Sequence, residues 1–103
     1  MLIVLTTIDD RDAGLRMAES LVLDKLAACV QVLPKMTSVY FWEGVLQQEE
    51  EHLLLIKTTK EKFSALKEFI QRKHRYDAPE IVAVESKEVS EKYREWLEGY
   101  LNE

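Results

Sequence analysis

Two long runs of strand-forming residues, joined by a two-residue turn, constrain the fold of this chain more than any other feature. The runs cover residues 28–42 and 45–59, and Glu43 and Gly44 connect them. A short connection that ends in glycine predicts a β-hairpin, because glycine accepts the positive φ that such turns require. Each arm of about 15 residues would extend roughly 50 Å, whereas a domain of this length has a radius of gyration of about 13 Å. We therefore expect another copy of the chain to cover the excess.

Length and charge limit the classes of protein to which the chain can belong. Its 103 residues predict a single domain, 1–103, and its one cysteine cannot form an internal disulfide. A net charge of −5 argues against binding to nucleic acid or to anionic membranes. No run approaches the ~20 apolar residues of a membrane span. A lone thiol is typical of a reducing compartment, so we expect a cytoplasmic protein, although a chain that has lost a leader looks the same.

The hydrophobic pattern predicts an order of strands and helices around the hairpin. A continuous apolar run near the start of the chain is typical of a buried strand. Apolar residues recur at helical spacing in three segments, one before the hairpin and two after it. The resulting order corresponds to an α+β ferredoxin-like βαββαβ sandwich with a long hairpin between its second and third strands and an extra C-terminal helix. The expected bounds outside the hairpin are strands at 2–8 and 80–85 and helices at 11–26, after Thr59 and after Ser90.

The turn also predicts which hairpin residues face each other. Two-residue pairing places Tyr40 opposite Gln47. Further from the turn it places Leu33 opposite Leu54, unless a bulge at Pro34 shifts the register by one residue.

Both faces of the sheet are expected to be covered. Residues 2–8 and 53–56 are apolar without the alternation that a half-solvated strand shows. The helices of a βαββαβ sandwich cover one face only. The apolar residues on the second face are a further indication, independent of the hairpin length, that copies of the chain associate with one another.

Five segments of the chain follow one another in the order found in a known family. The segments are LAACV at 26–30, TSVYFWEG at 37–44, IKTT at 56–59, HRYDAPEI at 74–81 and the pattern YxxWL at 93–97. Together they resemble CutA, the divalent-cation tolerance family. The resemblance implies a ferredoxin-like homotrimer, related in architecture to the PII signalling proteins, that associates with copper and other divalent cations.

Three residues are candidate metal ligands. Cys29 as a thiolate can hold a soft ion such as Cu(I), although a lone free cysteine is more often a small core residue, the interpretation we favour. His74 matches the histidine of the family's motif, and its imidazole either ligates a cation or completes the end of a helix. Glu80 adds a carboxylate to the same loop. One chain does not assemble a convincing metal cage, but a threefold axis would present each ligand three times.

Five further residues are candidates for lining a ligand-binding cleft. Tyr76 and Asp77 lie in the loop after the second predicted helix. Tyr40 and Trp42, near the hairpin tip, either line a pocket or dock into a neighbouring subunit. Lys57 lies in a strand among apolar neighbours, and its charge needs a partner if it is buried.

Four polar residues of the second hairpin arm are expected at the surface. Glu49, Glu50 and Glu51 form a run of like charges, which indicates a solvated face or one half of a salt-bridge set between subunits. A run of this kind also attracts hard cations. His52 ends the run, and we interpret it as a surface residue.

The sequence excludes several functions and leaves two open. Three glycines are too few and too scattered for a phosphate-binding loop, and no spacing fits a closed zinc site. We expect a non-enzymatic protein without an obligatory cofactor; acid–base catalysis by His74 and Glu80 is the least favoured alternative. The favoured function is a trimeric copper-binding or metal-tolerance protein. The alternative is a PII-like signalling or scaffold trimer that binds a small ligand or a partner protein in clefts between subunits.

Overall fold

The computed structural model covers residues 1–103 and contains five strands and three helices. The molecule measures 45 × 25 × 23 Å along its principal axes. One strand of 14 residues spans roughly 46 Å by itself, which accounts for the long axis. The elements are β1 (Leu2–Ile8), α1 (Arg11–Leu23), β2 (Cys29–Val32), β3 (Met36–Trp42), β4 (Val45–Thr58), α2 (Lys60–Lys73), β5 (Val82–Glu85) and α3 (Glu91–Leu101).

The sheet is antiparallel and has the strand order β2-β4-β1-β5, with β3 continuing beside β4 beyond the end of β2. Helix α1 connects β1 to β2, and α2 connects β4 to β5, so each crossover passes over one intervening strand. This is the ferredoxin-like βαββαβ arrangement followed by a C-terminal helix, as the sequence predicts. Strands β1 and β4 pair over seven residues and form the centre of the sheet.

The hairpin is confirmed, but its first arm is divided into two strands around Pro34. Near the turn Tyr40 pairs with Gln47, as expected from a two-residue connection. Beyond the break Val32, rather than Leu33, pairs with Leu54. The register therefore shifts by one residue, because proline cannot donate a hydrogen bond to the ladder.

The turn at the hairpin tip has the positive φ at glycine that its sequence predicts, and a positive φ at the preceding glutamate as well. Glu43 has φ of 49° and Gly44 has φ of 78°. Positive φ at both central residues is typical of a type I′ turn, whose twist matches that of the two flanking strands.

Helix α1 ends three residues earlier than the sequence pattern predicts. Its first turn is capped by the Asp10 carboxylate, which accepts a hydrogen bond from the Ala13 N–H at 2.9 Å. The chain leaves the helix at Leu23 and turns at Lys25, which has φ of 56°. This left-handed residue redirects the backbone toward β2, although the apolar pattern continues to Leu26.

The other helices begin at the predicted residues. Thr59 and Ser90 are the N-cap residues of α2 and α3, although neither side chain makes a capping hydrogen bond. Strand β5 begins at Val82, two residues later than expected, because the loop before it extends through Ile81. No helix combines the length and the apolar composition that crossing a lipid bilayer requires.

The main core lies between the sheet and helices α1 and α2. Alternate residues of the two central strands contribute to it, as do the inner faces of both helices. Gly14 allows α1 to approach closely, because a Cβ at this position would lie 3.0 Å from Ile8 Cγ2. The apolar residues of this core that are 0% exposed are Val4, Leu21, Ala27, Leu54, Ile56, Leu66 and Ile70.

Helix α3 forms a second, smaller core. Its Leu97 and Leu101 pack against Ala28, just before β2. The hydroxyl of Tyr100 donates a hydrogen bond to the Val22 carbonyl, which ties α3 to the end of α1. Much of the sheet surface away from α1 and α2 remains uncovered, including Val82 and Val84 of the edge strand β5.

The outer half of the hairpin has little cover in a single chain. Its apolar side chains are exposed, and two of them, Phe41 (70%) and Leu46 (69%), are more than two-thirds exposed. The exposed apolar residues of this outer hairpin are Val39, Tyr40, Phe41, Trp42, Val45 and Leu46. This is the surface that the sequence predicts to be sheltered by another copy, and the trimer remains a prediction.

Candidate functional site

A cleft of about 750 Å³ lies between the hairpin and the loop that follows α2. Its volume is within the range of roughly 300–1,000 Å³ that is typical of small-molecule sites. Residues of β3 and β4 form one wall, and residues 76–80 form the other. The lining residues are Thr7, Asp9, Ser38, Val39, Tyr40, Trp42, Glu49, Glu51, Tyr76, Asp77, Ala78 and Glu80.

The cleft is strongly acidic. Five of its lining residues are carboxylates, and none is a lysine, an arginine or a histidine. Only Asp9 is paired: Arg75 lies 3.5 Å from its carboxylate and 3.9 Å from that of Asp10. The four carboxylates that make no ion pair in the chain are Glu49, Glu51, Asp77 and Glu80. A concave surface lined by one sign of charge raises the local concentration of the opposite ion.

Strand alternation selects which of the three consecutive glutamates reach the cleft. Glu49 and Glu51 are two residues apart and lie on the same face of β4. Glu50 points to the opposite face, where its carboxylate forms an ion pair with Lys35 at 3.1 Å. The run is therefore divided between two environments, and only Glu50 forms an ion pair within the chain; pairing between subunits stays a prediction.

Glu51 is buried, so of the two alternatives for the glutamate run the solvated face does not hold for this residue. It is 7% exposed, and its Oε2 accepts a hydrogen bond from the Tyr76 hydroxyl at 2.7 Å. That hydroxyl is a neutral donor, and no lysine, arginine or histidine lies within ion-pair distance of Glu51. The buried negative charge thus has no cationic partner within the chain, an arrangement that costs free energy unless a cation is supplied.

Tyr76 is held in its protonated form. Burial, the hydrogen bond to Glu51 and the negative charges of Glu51 and Asp9 raise the pKa of Tyr76 well above its usual value. The phenol is consequently a permanent hydrogen-bond donor at neutral pH. The Tyr40 side chain is exposed, and partial desolvation at the cleft wall together with the negative charges of Glu49 and Glu51 raises the pKa of its phenol.

His74 organises the loop through both ring nitrogens. Its Nε2 lies 2.6 Å from the Thr7 carbonyl oxygen, and its Nδ1 accepts a hydrogen bond from the Tyr76 N–H at 3.0 Å. A carbonyl only accepts, so Nε2 carries the proton. The ring also packs 4.5 Å from the Tyr76 ring, measured between centroids. His74 therefore fixes the position of Tyr76 and has no free nitrogen for a metal in this arrangement.

The structure brings five of the eight predicted site residues to one cleft. These five are Tyr40, Trp42, Tyr76, Asp77 and Glu80. His74 lies immediately behind them and positions Tyr76. The sequence alone does not single out Glu51 as a site residue. The signal that points to it is strand alternation, which places Glu51 on the same face of β4 as Glu49.

Two predicted residues lie elsewhere on the sheet. Cys29 and Lys57 are cross-strand partners on β2 and β4, and neither lines the cleft. The Lys57 Nζ lies 5.4 Å from the centre of the Tyr93 ring on α3. Cys29 is half-buried, and no group of three or more His, Cys, Asp and Glu side chains is close enough to hold a metal ion in one chain.

The interpretation of His52 as a surface residue is wrong. His52 is buried, and its Nδ1 lies 2.9 Å from the Leu33 carbonyl oxygen. The break in the first hairpin arm leaves this carbonyl beside the imidazole, so His52 bridges the gap that Pro34 creates. Its role is structural, and the site uses the neighbouring Glu51 instead.

Comparison with known proteins identifies relatives along nearly the whole chain. Residues 2–99 match the sequence profile of the family described as CutA1 divalent ion tolerance protein. "Protein CutA 1, chloroplastic" from Oryza sativa is 42% identical over 102 residues, which are 99% of this chain and 58% of the relative. "Protein CutA, chloroplastic" from Arabidopsis thaliana is 43% identical over 95% of this chain and 54% of the relative. The chain thus spans little more than half the length of these two plant relatives.

Bacterial relatives and solved structures match more evenly. "Divalent-cation tolerance protein CutA" from Thermus thermophilus is 41% identical over 92% of both sequences. The structure of the Thermus thermophilus Cut A1 protein superposes with a TM-score of 0.90 at 41% identity, covering 94% of this chain and 95% of that chain. The structure of CutA1 from Oryza sativa gives a TM-score of 0.93 at 42% identity, with coverages of 96% and 91%.

Proposed function

This chain belongs to the CutA1 divalent ion tolerance family, and from this premise we propose that it binds divalent cations, copper among them, in the acidic cleft. The observation that carries the proposal is Glu51, a buried carboxylate on the cleft wall without a cation to neutralise it. Family membership supports an interaction with divalent cations. Family membership does not specify the metal, so we infer the preferred metal from the chemistry of the cleft.

Almost all the atoms of the cleft that could coordinate a cation are oxygens. Four unpaired carboxylates and the hydroxyls of Thr7, Ser38 and Tyr40 face the same space. Oxygen donors suit hard and borderline divalent cations, which keep part of their water shell when carboxylates are not close together. Among first-row divalent ions Cu²⁺ generally has the highest affinity for a given site. We therefore expect Cu²⁺ to bind most tightly and harder ions such as Mg²⁺ to bind more weakly.

The three predicted metal ligands take different places in this proposal. Glu80 lines the cleft, and we propose it as a direct ligand. His74 positions the Tyr76 loop, which closes one side of the site. Cys29 lies away from the cleft and is a candidate ligand for Cu(I) in a second site. Because no three His, Cys, Asp or Glu side chains of one chain lie close enough to hold a metal ion, both this second site and the cleft need further ligands from water or from a neighbouring subunit.

The proposed protein is a non-enzymatic homotrimer. The exposed apolar side chains of the outer hairpin and of β5 support assembly, since contiguous apolar patches of this kind mark interaction surfaces. No cofactor is needed for cation binding, and the single cysteine supports a reducing compartment such as the cytoplasm. In this proposal the cation is the ligand that the protein binds, and it is not a cofactor.

Two adjacent glutamates provide the test. Glu51→Gln removes the buried charge while keeping the shape and the acceptor for Tyr76, and Glu50→Gln removes an exposed charge from the opposite face of the same strand. Isothermal titration of the whole chain with CuCl₂ should show saturable binding that Glu51→Gln weakens about tenfold or more. Glu50→Gln should bind like the wild type.

Two results would contradict the proposal. One is the absence of saturable Cu²⁺ binding by the wild-type chain. The other is equal affinity in the two variants, because bound copper would then lie outside the cleft. Unchanged circular dichroism of both variants controls for loss of fold.

A further inference from the structure

We propose that a basic groove between α1 and the end of α2 binds a small phosphate monoester that has an apolar body. The groove has a volume of about 590 Å³, which is within the range of roughly 300–1,000 Å³ that is typical of small-molecule sites. It is separate from the acidic cleft. None of its lining residues belongs to the outer hairpin or to β5, so the proposed assembly does not use the groove and leaves it open to a ligand.

The first step is the charge of the groove. Three of its side chains are cationic: Arg16 on α1, Lys73 at the end of α2, and Arg75 in the following loop. Asp10 is the single lining carboxylate, and it already accepts a hydrogen bond from the Ala13 N–H at 2.9 Å and lies 3.9 Å from the Arg75 guanidinium. A concave surface with an excess of one charge concentrates the opposite ion. The groove is thus a local attractor for anions in a chain whose net charge is −5.

The second step is that two of the three cations have no ionic partner. Arg16 and Lys73 form no ion pair in the chain. The two acidic residues of α1, Asp12 and Glu19, neither pair with Arg16 nor line the groove. A phosphate monoester carries close to two negative charges at neutral pH, and its oxygens accept paired hydrogen bonds from a guanidinium. The Ser20 hydroxyl lines the same groove and is a further donor.

The third step is the apolar part of the wall, which determines the kind of anion. Met17 and Phe69 line the groove, are 7% and 9% exposed, and belong to the main core. Their positions are therefore fixed by packing. An inorganic anion would leave this apolar surface in contact with water, whereas a ligand with an apolar body removes it from water and gains affinity.

The test uses three probes on the whole chain, followed through the backbone amide chemical shifts in two-dimensional ¹H–¹⁵N spectra. Phenyl phosphate has both the charge and the apolar body, inorganic phosphate has only the charge, and phenol has only the body. Phenyl phosphate should give saturable shifts at amides of α1 and the end of α2, and none at the outer hairpin. It should bind about tenfold more tightly than inorganic phosphate, and phenol should give no saturable shift.

Two lysines of α2 give a matched pair of variants. Lys73 lines the groove, whereas Lys67 is exposed on the same helix and does not line it. Each change to glutamine removes one positive charge, so both variants have the same net charge. Lys73→Gln should weaken the binding of phenyl phosphate about threefold, and Lys67→Gln should leave it unchanged. Arg16→Gln and Arg11→Gln form the corresponding pair on α1, because Arg11 is also exposed and outside the groove.

Three results would overturn the inference. The first is the absence of saturable shifts with millimolar phenyl phosphate. The second is equal weakening by Lys73→Gln and Lys67→Gln, since binding would then reflect general attraction to positive charge. The third is equal affinity for phenyl phosphate and inorganic phosphate, because the apolar wall would then have no role. None of these outcomes depends on copper, so the inference and the proposed function stand or fall separately.

Discussion

The two halves of strand β4 show how one continuous element can lie in two environments. In the inner half Leu54 and Ile56 are completely buried, because β1, β2 and both crossover helices surround them. In the outer half Val45 and Leu46 are exposed, because only β3 pairs with this part of the strand. Apolar character alone therefore does not determine which part of β4 is buried in one chain; the extent of the helix layer does.

The candidate site lies where the two halves meet. Glu51 is deep enough to be buried by the inner half, and Glu49, two residues further out, remains exposed. Both line the same cleft. A carboxylate at this boundary loses much of its water while a ligand can still reach it from the open side, and this combination strengthens its interaction with a cation.

Truncation in the inner half should give the largest effect on stability. Leu54→Ala removes a side chain that is 0% exposed from the centre of the main core. The expected loss in the free energy of unfolding is about 2–5 kcal/mol, from lost burial and from the cavity that remains. Chemical denaturation at several protein concentrations measures it, and the loss should be the same at each concentration. A loss below about 0.5 kcal/mol would mean that the inner half is not held by its own core.

A charge in the outer half should affect assembly instead of folding. Leu46→Asp places a carboxylate on the exposed apolar surface of the hairpin. We expect a shift from trimer to monomer in sedimentation velocity, with helix content preserved in circular dichroism, because a buried unpaired charge disfavours association. Leu23→Asp is the matched control, since Leu23 is 76% exposed at the end of α1, outside the hairpin. An unchanged mass for Leu46→Asp would show that this surface is not an interface.

The register of the outer hairpin could be predicted from the sequence because a two-residue turn determines all pairs up to the next irregularity. Tyr40 and Gln47 pair accordingly. The consequences of Pro34 could be predicted only in part. A shift of one residue is a local effect, but the burial of His52 depends on the Leu33 carbonyl that the break leaves beside it. The early end of α1 likewise depends on the left-handed conformation of Lys25, a non-glycine residue that sequence patterns do not single out.

The candidate site could be predicted where sequence neighbours remain spatial neighbours. Tyr76, Asp77 and Glu80 belong to one short loop and reach the cleft together. Lys57 does not line this cleft, and the sequence could not predict its surroundings, because the position of α3 over its end of the sheet decides them. Glu51 was missed because a run of charges is usually solvated, and only the Tyr76 loop packed against it makes this member of the run different.

Two buried threonines, Thr58 at the end of β4 and Thr6 on the neighbouring strand β1, should give the smallest effects, which should differ in size. Thr58 donates a hydrogen bond to the Leu26 carbonyl at 2.7 Å, whereas the Thr6 hydroxyl has no partner, although both residues are 0% exposed. Thr58→Val should cost about 1 kcal/mol, and Thr6→Val should be neutral or slightly stabilising. Thermal unfolding of the two variants under identical conditions measures the difference. Equal losses would contradict the hydrogen-bond assignment.

The mass of the wild-type chain in solution is the most direct test of the claim that the outer hairpin and the open sheet face are covered by other copies. Sedimentation equilibrium at micromolar concentration should give about three times the chain mass of 12.0 kDa. A mass of 12.0 kDa across the accessible concentration range would contradict the claim, because the exposed apolar half of the hairpin would then be stable in water without any partner.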